Sequence, residues 1–355
     1  FVGGLGFFYY CRLEQGWGVG GGGGGRGFIA ALIFTITPTT FIYNSFILTE
    51  RLTSFFMVII YFLFLKLFDL ETNDSKKFYL FVSSIALLTF LAIFTRPANI
   101  FLPFIFVFFT IIFTIRRKFS ISQTAIASFL LLAITLIPVI LWSYRNFAAI
   151  NYKGFTTISA LNMYEYNAPL AIKNQSDIPE FLKQNLIDKN ITKDRYENLG
   201  EYYMAMQNEG IRIIKENLPF YAINHLKTII PTIFGAGIPK FIKIYAADYV
   251  LAFKEKRLAE FILQNLGDFL YFFSATGFLC AVYLFFAIGF IKVFKQNKMF
   301  AIFTIALIGY FILIGGGASY SRFREPINFI FPIFAAITLT FLPNFFRTRF
   351  TRDRP

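Results

Sequence analysis

The chain has 355 residues, of which 56% are hydrophobic, 20% aromatic and only 15% charged, and its mean hydropathy is +0.59. Soluble domains carry about 25% charged residues, so this composition excludes a soluble globule. The 51 phenylalanines exclude a disordered or collagen-like chain, and two cysteines are too few for a disulfide-stapled one. The net charge of +14 is also typical of nucleic-acid binding, but the positive-inside rule explains basic residues beside apolar segments, so no nucleic-acid partner is expected.

The first 27 residues form a Gly-rich end. Gly20 to Gly25 are consecutive glycines, which cannot hold a packed structure of their own. A phosphate-binding loop would need Lys and Ser/Thr partners after Gly25, and none follows. We interpret residues 1–27 as a flexible connector or a damaged end of the sequence.

Eight apolar segments then follow, each close to the length of about 17 to 25 residues that crosses a bilayer as a helix. They are residues 28–44, 52–68, 78–95, 100–115, 125–144, 269–293, 299–314 and 327–342. We therefore predict an all-α fold: a polytopic transmembrane helical bundle of about eight spans, divided between residues 28–144 and 268–346.

Basic residues orient these spans. Lysine and arginine concentrate in alternate short connections and are sparse in the others, and the side that holds them is cytoplasmic. This places residues 347–355 in the cytoplasm as a basic tail, and residues 145–267 outside it as one large, mainly helical loop domain. We expect an integral, multi-pass protein, in the plasma (inner) membrane of a prokaryote rather than in the endoplasmic reticulum.

Two helical patterns lie within the predicted loop domain. Tyr196, Leu199, Tyr203, Met206 and Ile213 recur at helical spacing over residues 194–217, which predicts an amphipathic helix with one apolar stripe. Residues 218–247 mix apolar side chains with proline and glycine, so they are interpreted as broken, interfacial helices.

We expect the catalytic and binding residues among the polar side chains at the span ends on the non-cytoplasmic side. These are Glu50, Arg51, Arg96, Arg145, Arg322, Arg324 and Glu325. Ionisable groups at membrane depth are costly and indicate function, and arginine suits multidentate binding of phosphate oxygens. The alternative is that each arginine extends to lipid headgroups; for the set, function is favoured.

The chain resembles the GT-C class of integral-membrane glycosyltransferases, in particular the dolichyl-phosphate-mannose-protein mannosyltransferase family, glycosyltransferase family 39, and its bacterial relatives. The resemblance depends on motifs that span most of the chain from Pro38 onward: Pro38, Tyr43, Ser45, Thr49-Glu50; Thr95-Arg96-Pro97; Arg145-Asn146 with Gly154, Ser159, Asn162, Tyr164 and Asn167; and Arg322-Phe323-Arg324 before Pro326. It implies transfer of a sugar from a polyprenyl-phosphate donor to a protein, lipid or polysaccharide acceptor on the non-cytoplasmic face, without a cofactor.

Residue chemistry agrees with that reaction, because a lipid phosphate leaves readily when preorganised cations meet its developing charge. Candidate ligands of the donor phosphate are Arg96, Arg145, Arg322 and Arg324. Glu50 is a supporting acid, while Tyr164, Asn167 and Glu325 are candidates for sugar or acceptor contacts. No metal site is expected, since the sequence holds one histidine, His225, and two distant cysteines.

The resembling family carries an acid, usually aspartate, as the base in the loop after its first span. The region that would hold this acid is missing here, so we expect an N-terminally truncated, inactive chain in which Glu50 is not the base.

Two rival functions stay open. An O-antigen ligase or polymerase would use a diphosphate donor. A transporter or lipid flippase would explain the spans and the arginines, but not a long translocated domain, and no paired broken helices in matching halves are seen.

Overall fold

The computed structural model describes residues 23–44, 49–71, 74–173, 177–235, 260, 263–318 and 321–352. These residues are helical and include no strand, which confirms the all-α prediction for them. The helices are α1 Gly23–Ile36, α2 Pro38–Asn44, α3 Thr49–Phe68, α4 Ser75–Thr95, α5 Leu102–Arg116, α6 Ile121–Ile150, α7 Ile158–Leu161, α8 Ile178–Asp188, α9 Leu199–Glu216, α10 Leu218–Lys227, α11 Ile229–Phe234, α12 Leu266–Gln296, α13 Lys298–Leu313 and α14 Ile330–Arg352.

The chain divides into two compact units. The first comprises the described residues within Phe1–Phe62, Pro231–Phe311 and Tyr320–Pro355, and the second comprises those within Leu63–Ile230 and Ile312–Ser319. The predicted Gly-rich end lies outside the described residues up to residue 22, as do residues 236–259 of the predicted loop domain and residues 353–355 of the predicted tail.

Within the described part of the chain, five helical segments are long and apolar enough to cross a membrane, and their length and composition indicate a membrane protein. They are Thr49–Phe68, Ser75–Thr95, Pro97–Arg116, Ile121–Ile150 and Leu266–Gln296.

The other three predicted spans correspond to shorter apolar helices, Gly25–Ile36, Lys298–Leu313 and Ile330–Phe341. The segment 28–44 is divided where α1 ends and α2 begins at Pro38, because the residue before a proline avoids helical backbone. The structure thus supports five of the eight predicted spans by length.

Aromatic packing forms the core of the first unit. Tyr61 is 1% exposed, its ring lies among Phe300, Phe303 and Phe329, and its hydroxyl is 2.8 Å from Thr304 Oγ1. Such pairs add about 0.5 to 1.5 kcal/mol each beyond the area that they bury. The buried hydroxyl is also satisfied, so this contact stabilises the packing of α3 on α13.

A glycine brings α12 and α14 together in the same unit. A Cβ atom added at Gly289 would lie 2.1 Å from the Phe334 carbonyl oxygen and 2.9 Å from Thr338 Oγ1. Thr338 Oγ1 donates to the Phe285 carbonyl at 2.6 Å. Small residues permit this close approach of helix backbones in membranes, where packing and interhelical hydrogen bonds replace the hydrophobic effect.

In the second unit, α4 and α5 both pack against α6. Phe78 is fully buried and its ring meets those of Phe113 and Phe119. Helix α6 begins at a capping box in which Ser120 and Gln123 bond each other's backbone N–H groups.

The described residues between 161 and 221 of this unit form an apolar cluster of their own. Its buried members are Tyr164, Ala168, Ala171, Leu182, Ile191, Tyr202, Met206 and Ile213. The predicted amphipathic helix exists as α9 but begins at Leu199. Its buried face includes Tyr202, Met206 and Ile213, whereas Leu199 is 49% exposed; the predicted stripe was wrong at Leu199 because it ran along a neighbouring side of the helix.

An ion pair on α9 gives a pH-dependent contribution to stability. Arg212 donates from Nε to Glu209 Oε2 at 2.8 Å and from Nη2 to Oε1 at 2.6 Å. These hydrogen bonds lower the pKa of Glu209 below its ordinary 4.5. A lowered pKa stabilises the fold above pH 4.5, and the gain is lost as pH falls through the lower, folded-state value.

We expect Glu209→Gln to lose about 1 kcal/mol or less at pH 7, because Arg212 is partly exposed and water screens the pair. Thermal unfolding followed from pH 7 to pH 3 should show the wild-type and Glu209→Gln curves converging at low pH. Glu216→Gln, which removes the more exposed partner of Arg212, is the control with a smaller effect. A gap that persists unchanged at pH 3 would contradict this account.

Candidate functional site

Five of the predicted charged residues lie together in the first unit. Glu50 and Arg51 occupy the first turn of α3, and Arg322, Arg324 and Glu325 lie in the short 3-10 helix Ser321–Ile327, which packs against α2. A carboxylate at a helix N-terminus is favoured by the helix dipole, which suits Glu50 to its position. We call these residues and their hydrogen-bond partners the Arg324 cluster.

Arg324 is fully buried and lies at the centre of this cluster. Its Nε donates to Asn328 Oδ1 at 2.8 Å, and its Nη1 donates to the carbonyls of Thr232, at 3.1 Å, and Ile233. Its Nη2 donates to Thr39 Oγ1 and to the Gly235 carbonyl, both at 3.4 Å. A guanidinium has five N–H donors, and these contacts give each one a protein acceptor.

Glu325 is fully buried beside Arg324 and bridges two further groups. Its Oε2 lies 2.8 Å from Arg51 Nη1, and its Oε1 accepts from Asn328 Nδ2 at 2.6 Å. Burial raises the pKa of Glu325, while the charges of Arg51 and Arg324 oppose that rise. The ion pair and the amide together hold the carboxylate in one orientation.

Arg51 also binds backbone, so it connects α3 to α2. Its Nη2 donates to the Thr40 carbonyl at 2.5 Å and to the Thr39 carbonyl at 3.4 Å. Nearby, Ser54 Oγ donates to the Glu325 carbonyl at 2.8 Å. Arg51 therefore acts here as a cross-link between backbone and Glu325.

Arg322 and Glu50 form the outer part of the cluster. The side chain of Arg322 is 43% exposed and that of Glu50 is 7% exposed, with Arg322 Nε 3.8 Å from Glu50 Oε1. Thr49 Oγ1 donates to Glu50 Oε2 at 3.3 Å. The distance of 3.8 Å is an ion pair without a tight hydrogen bond, and the side chain of Arg322 is partly exposed.

Arg96 and Arg145 belong to the second unit. Arg96 follows α4 with extended backbone, as a residue before Pro97 requires, and its side chain is buried. Arg145 is exposed on α6, with its guanidinium 5.1 Å from the Trp142 ring centroid and its Nη1 donating to Asn146 Oδ1 at 3.2 Å. The neighbouring Asn146 Nδ2 donates to the carbonyls of Gly154 and Phe155 and so ties the end of α6 to the following loop.

Tyr164 and Asn167, the predicted sugar or acceptor contacts, are also in the second unit. Tyr164 is 2% exposed, and its hydroxyl donates to the Leu182 carbonyl at 2.7 Å and approaches Asn185 Oδ1 at 3.0 Å. Burial raises the pKa of this hydroxyl. Its contacts are those of a core side chain, whereas Asn167 is only partly buried.

The structure thus brings together Glu50, Arg322, Arg324 and Glu325 within one unit. Sequence reasoning did not find Thr39 or Asn328 as their partners. Asn328 lies four residues after Arg324 and three after Glu325, a spacing that suits contact along one turn, so this signal was available. Thr39 carries no comparable signal, because only the packing of α2 on Ser321–Ile327 brings it near.

Among the residues that the structure describes, no group of three or more His, Cys, Asp or Glu side chains is arranged to hold a metal ion. Comparison of the chain with protein-family models finds no match, and comparisons with curated proteins and with solved structures find none either.

Proposed function

We propose that the chain is a multi-pass membrane glycosyltransferase that moves a sugar from a polyprenyl-phosphate donor to a protein, lipid or polysaccharide acceptor. The observation that supports this most is the contrast within the Arg324 cluster. A fully bonded Arg324 and the ion pair of Arg51 with the buried Glu325 form a fixed support, beside which Arg322 remains 43% exposed next to Glu50. Such preorganised cations stabilise a leaving phosphate without reorganising during the reaction.

In the proposed reaction, an acceptor hydroxyl oxygen bonds to the anomeric carbon as the bond from that carbon to the phosphate oxygen breaks. The phosphate oxygen leaves with the electron pair, and its new negative charge meets Arg322. The acceptor proton passes to a carboxylate base, the role that an aspartate after the first span has in the resembling family. Glu50 is assigned to orienting Arg322, because its Oε1 lies 3.8 Å from Arg322 Nε.

The membrane arrangement is part of this proposal. The three shorter apolar helices would complete eight spans with the five long ones, and the distribution of lysine and arginine would place residues 145–267 on the non-cytoplasmic side of a prokaryotic plasma membrane. The pattern of exposure supports contact with lipid, since α6 exposes Phe129, Ile140 and Leu141 by 62% or more.

We expect a thiol probe that cannot cross the membrane to label intact cells at Lys183→Cys but not at Ser122→Cys, each in a chain whose native cysteines are replaced by serine. Both native side chains are exposed, and lysed cells should label at both positions, which serves as the control. Labelling at Ser122→Cys alone in intact cells would reverse the proposed orientation.

The donor proposal predicts that Arg322→Ala weakens binding of a polyprenyl-monophosphate sugar by about 1.5 to 3 kcal/mol, the range of a hydrogen bond to a charged group. Arg322→Lys should recover part of this loss, because lysine keeps the charge but not the fork of donors. Binding is measured with the purified chain in lipid nanodiscs.

Arg195→Ala is the matched control, since Arg195 is an exposed arginine of the short helix Lys193–Arg195. A diphosphate donor is tested in parallel, and tighter binding of that donor would favour a ligase or polymerase. Unchanged binding by Arg322→Ala would return Arg322 to anchoring at lipid headgroups, and movement of donor across the bilayer without transfer of its sugar would favour a flippase.

A further inference from the structure

The side-chain amide of Asn167 is oriented by its neighbours in the second unit. Its Nδ2 donates to the Asn162 carbonyl at 2.8 Å. A carbonyl only accepts, so Oδ1 must be the atom that faces the Tyr221 hydroxyl at 3.2 Å and the Gly317 N–H at 3.5 Å. A Cβ atom at Gly316 would lie 2.5 Å from this oxygen, which shows how closely the glycine turn surrounds it.

The chain of contacts continues through helix α10 to the chain's single histidine. The Tyr221 hydroxyl lies 3.1 Å from His225 Nδ1, one turn further along the helix. His225 Nε2 lies 3.0 Å from the Leu313 carbonyl. Because that carbonyl only accepts, Nε2 must carry a proton.

While His225 is neutral, the hydrogens of His225 and Tyr221 are too few to make hydrogen bonds of all three contacts, from His225 to Leu313, between His225 and Tyr221, and from Tyr221 to Asn167. With its proton on Nε2, the neutral ring has a bare Nδ1 that accepts from the Tyr221 hydroxyl. Tyr221 has one hydrogen and keeps it, since burial raises its pKa. When Tyr221 donates to His225, it cannot donate to Asn167 Oδ1.

Protonation of His225 removes this competition. The imidazolium donates from Nδ1 to the Tyr221 oxygen and from Nε2 to the Leu313 carbonyl, and the Tyr221 hydrogen is then directed to Asn167 Oδ1. All three contacts become proper hydrogen bonds at once. The Leu313 carbonyl belongs to the last turn of α13, where carbonyl groups favour a cation.

We propose that His225 is a positioning residue: when it is protonated, the Tyr221 hydroxyl donates to Asn167 Oδ1, and when it is neutral, that one hydrogen bond is withdrawn from the Asn167 amide. Histidine is the side chain whose charge ordinarily changes between about pH 5 and 8, so the device would respond to the acidity of the compartment that it faces. Its effect on sugar transfer rests on the proposed function, whereas the hydrogen-bond switch does not.

Charged groups around His225 act in both directions. Helix α10 packs against α9 and the turn Ala168–Ala171. Lys215 and Glu216 end α9. Lys173 follows the turn, and its Nζ lies 5.3 Å from the Phe220 ring centroid. Lys227 on α10 donates to Asn224 Oδ1 at 3.3 Å. The lysines repel a positive charge on His225, while Glu216 attracts it. Lys215, Glu216 and Lys227 are exposed, so salt screens their effect.

The test uses the full chain in nanodiscs, with ¹⁵N-labelled histidine and 3-fluorotyrosine at position 221. The ring spectrum of His225 should show Nε2 protonated at high pH and both nitrogens protonated at low pH, and the fluorine signal should shift with the same midpoint.

His225→Gln should abolish the fluorine titration. Asn224→Ala is the matched control: it removes a different bond of the same helix, from Asn224 Nδ2 to the Leu170 carbonyl at 3.0 Å, and should leave the titration in place. A proton on Nδ1 at high pH, or a fluorine signal that does not change with pH, would overturn the proposal. Sugar transfer, assayed separately across the same pH range, reports on the proposed function, and its absence would leave the spectroscopic result intact.

Discussion

Arg324→Ala should destabilise the chain by about 3 to 5 kcal/mol, the usual loss when one partner of a buried ionic network is removed. The physical reason is that all five guanidinium N–H groups have protein acceptors, among them Asn328 Oδ1 and three backbone carbonyls. The substitution leaves those acceptors unpaired and Glu325 with one cation fewer. Thermal unfolding of purified protein in detergent measures the effect.

Arg322→Ala is the comparison, because this arginine is in the same short helix but is 43% exposed. Its loss of stability should stay below about 1 kcal/mol, as for an exposed ion pair. Arg324 would then hold the site together while Arg322 binds the donor. If Arg324→Ala unfolds like wild type but loses donor binding, Arg324 contacts phosphate itself and its bonds to protein rearrange.

Gly289→Ala should be the other strongly destabilising substitution. The new methyl group would lie 2.1 Å from the Phe334 carbonyl oxygen, so α12 and α14 would have to separate. Overpacking costs about 1 to 3 kcal/mol and more where backbone must move, and the hydrogen bond from Thr338 Oγ1 to the Phe285 carbonyl should weaken as well. The measurement is again thermal unfolding in detergent.

Gly277→Ala on the same helix is the control, because a Cβ atom there meets nothing within 4 Å. Alanine stabilises an open helix position by about 0.5 to 1 kcal/mol relative to glycine, so the two variants should change stability in opposite directions. Equal effects would mean that α12 and α14 do not pack as closely as described.

The helical fold was predictable from sequence, because apolar segments such as 78–95 and 125–144 are long and nearly free of charge. The boundary at Pro38 and the start of α9 were not predicted. A proline divides an apolar segment without changing its hydropathy, and several amphipathic stripes fit one helix until packing selects among them.

The candidate site was predictable in its charges but not in their roles. From sequence, Arg322 and Arg324 are both predicted to bind the donor phosphate, since they are two residues apart with similar neighbours. The structure separates them, because burial and the acceptors of Thr39, Thr232 and Gly235 depend on contacts between distant segments. Tyr164 was predicted to contact sugar or acceptor; in the structure it lies in a core, and its hydroxyl donates to the Leu182 carbonyl.

The length of α6 has a consequence for the lipid around it. Its 30 residues span about 45 Å at 1.5 Å per residue, against a hydrocarbon core of about 30 Å. Tilts of transmembrane helices reach about 40°, which would still leave about 34 Å along the bilayer normal. If α6 crosses a membrane, as its length and composition allow, part of the helix therefore extends into the headgroup layer, and the end with Trp142, Arg145 and Phe147 would lie there to an extent that hydrophobic mismatch sets. A thinner bilayer would lift Arg145 toward water and a thicker one would draw it in, so membrane thickness becomes a variable that acts on this part of the chain.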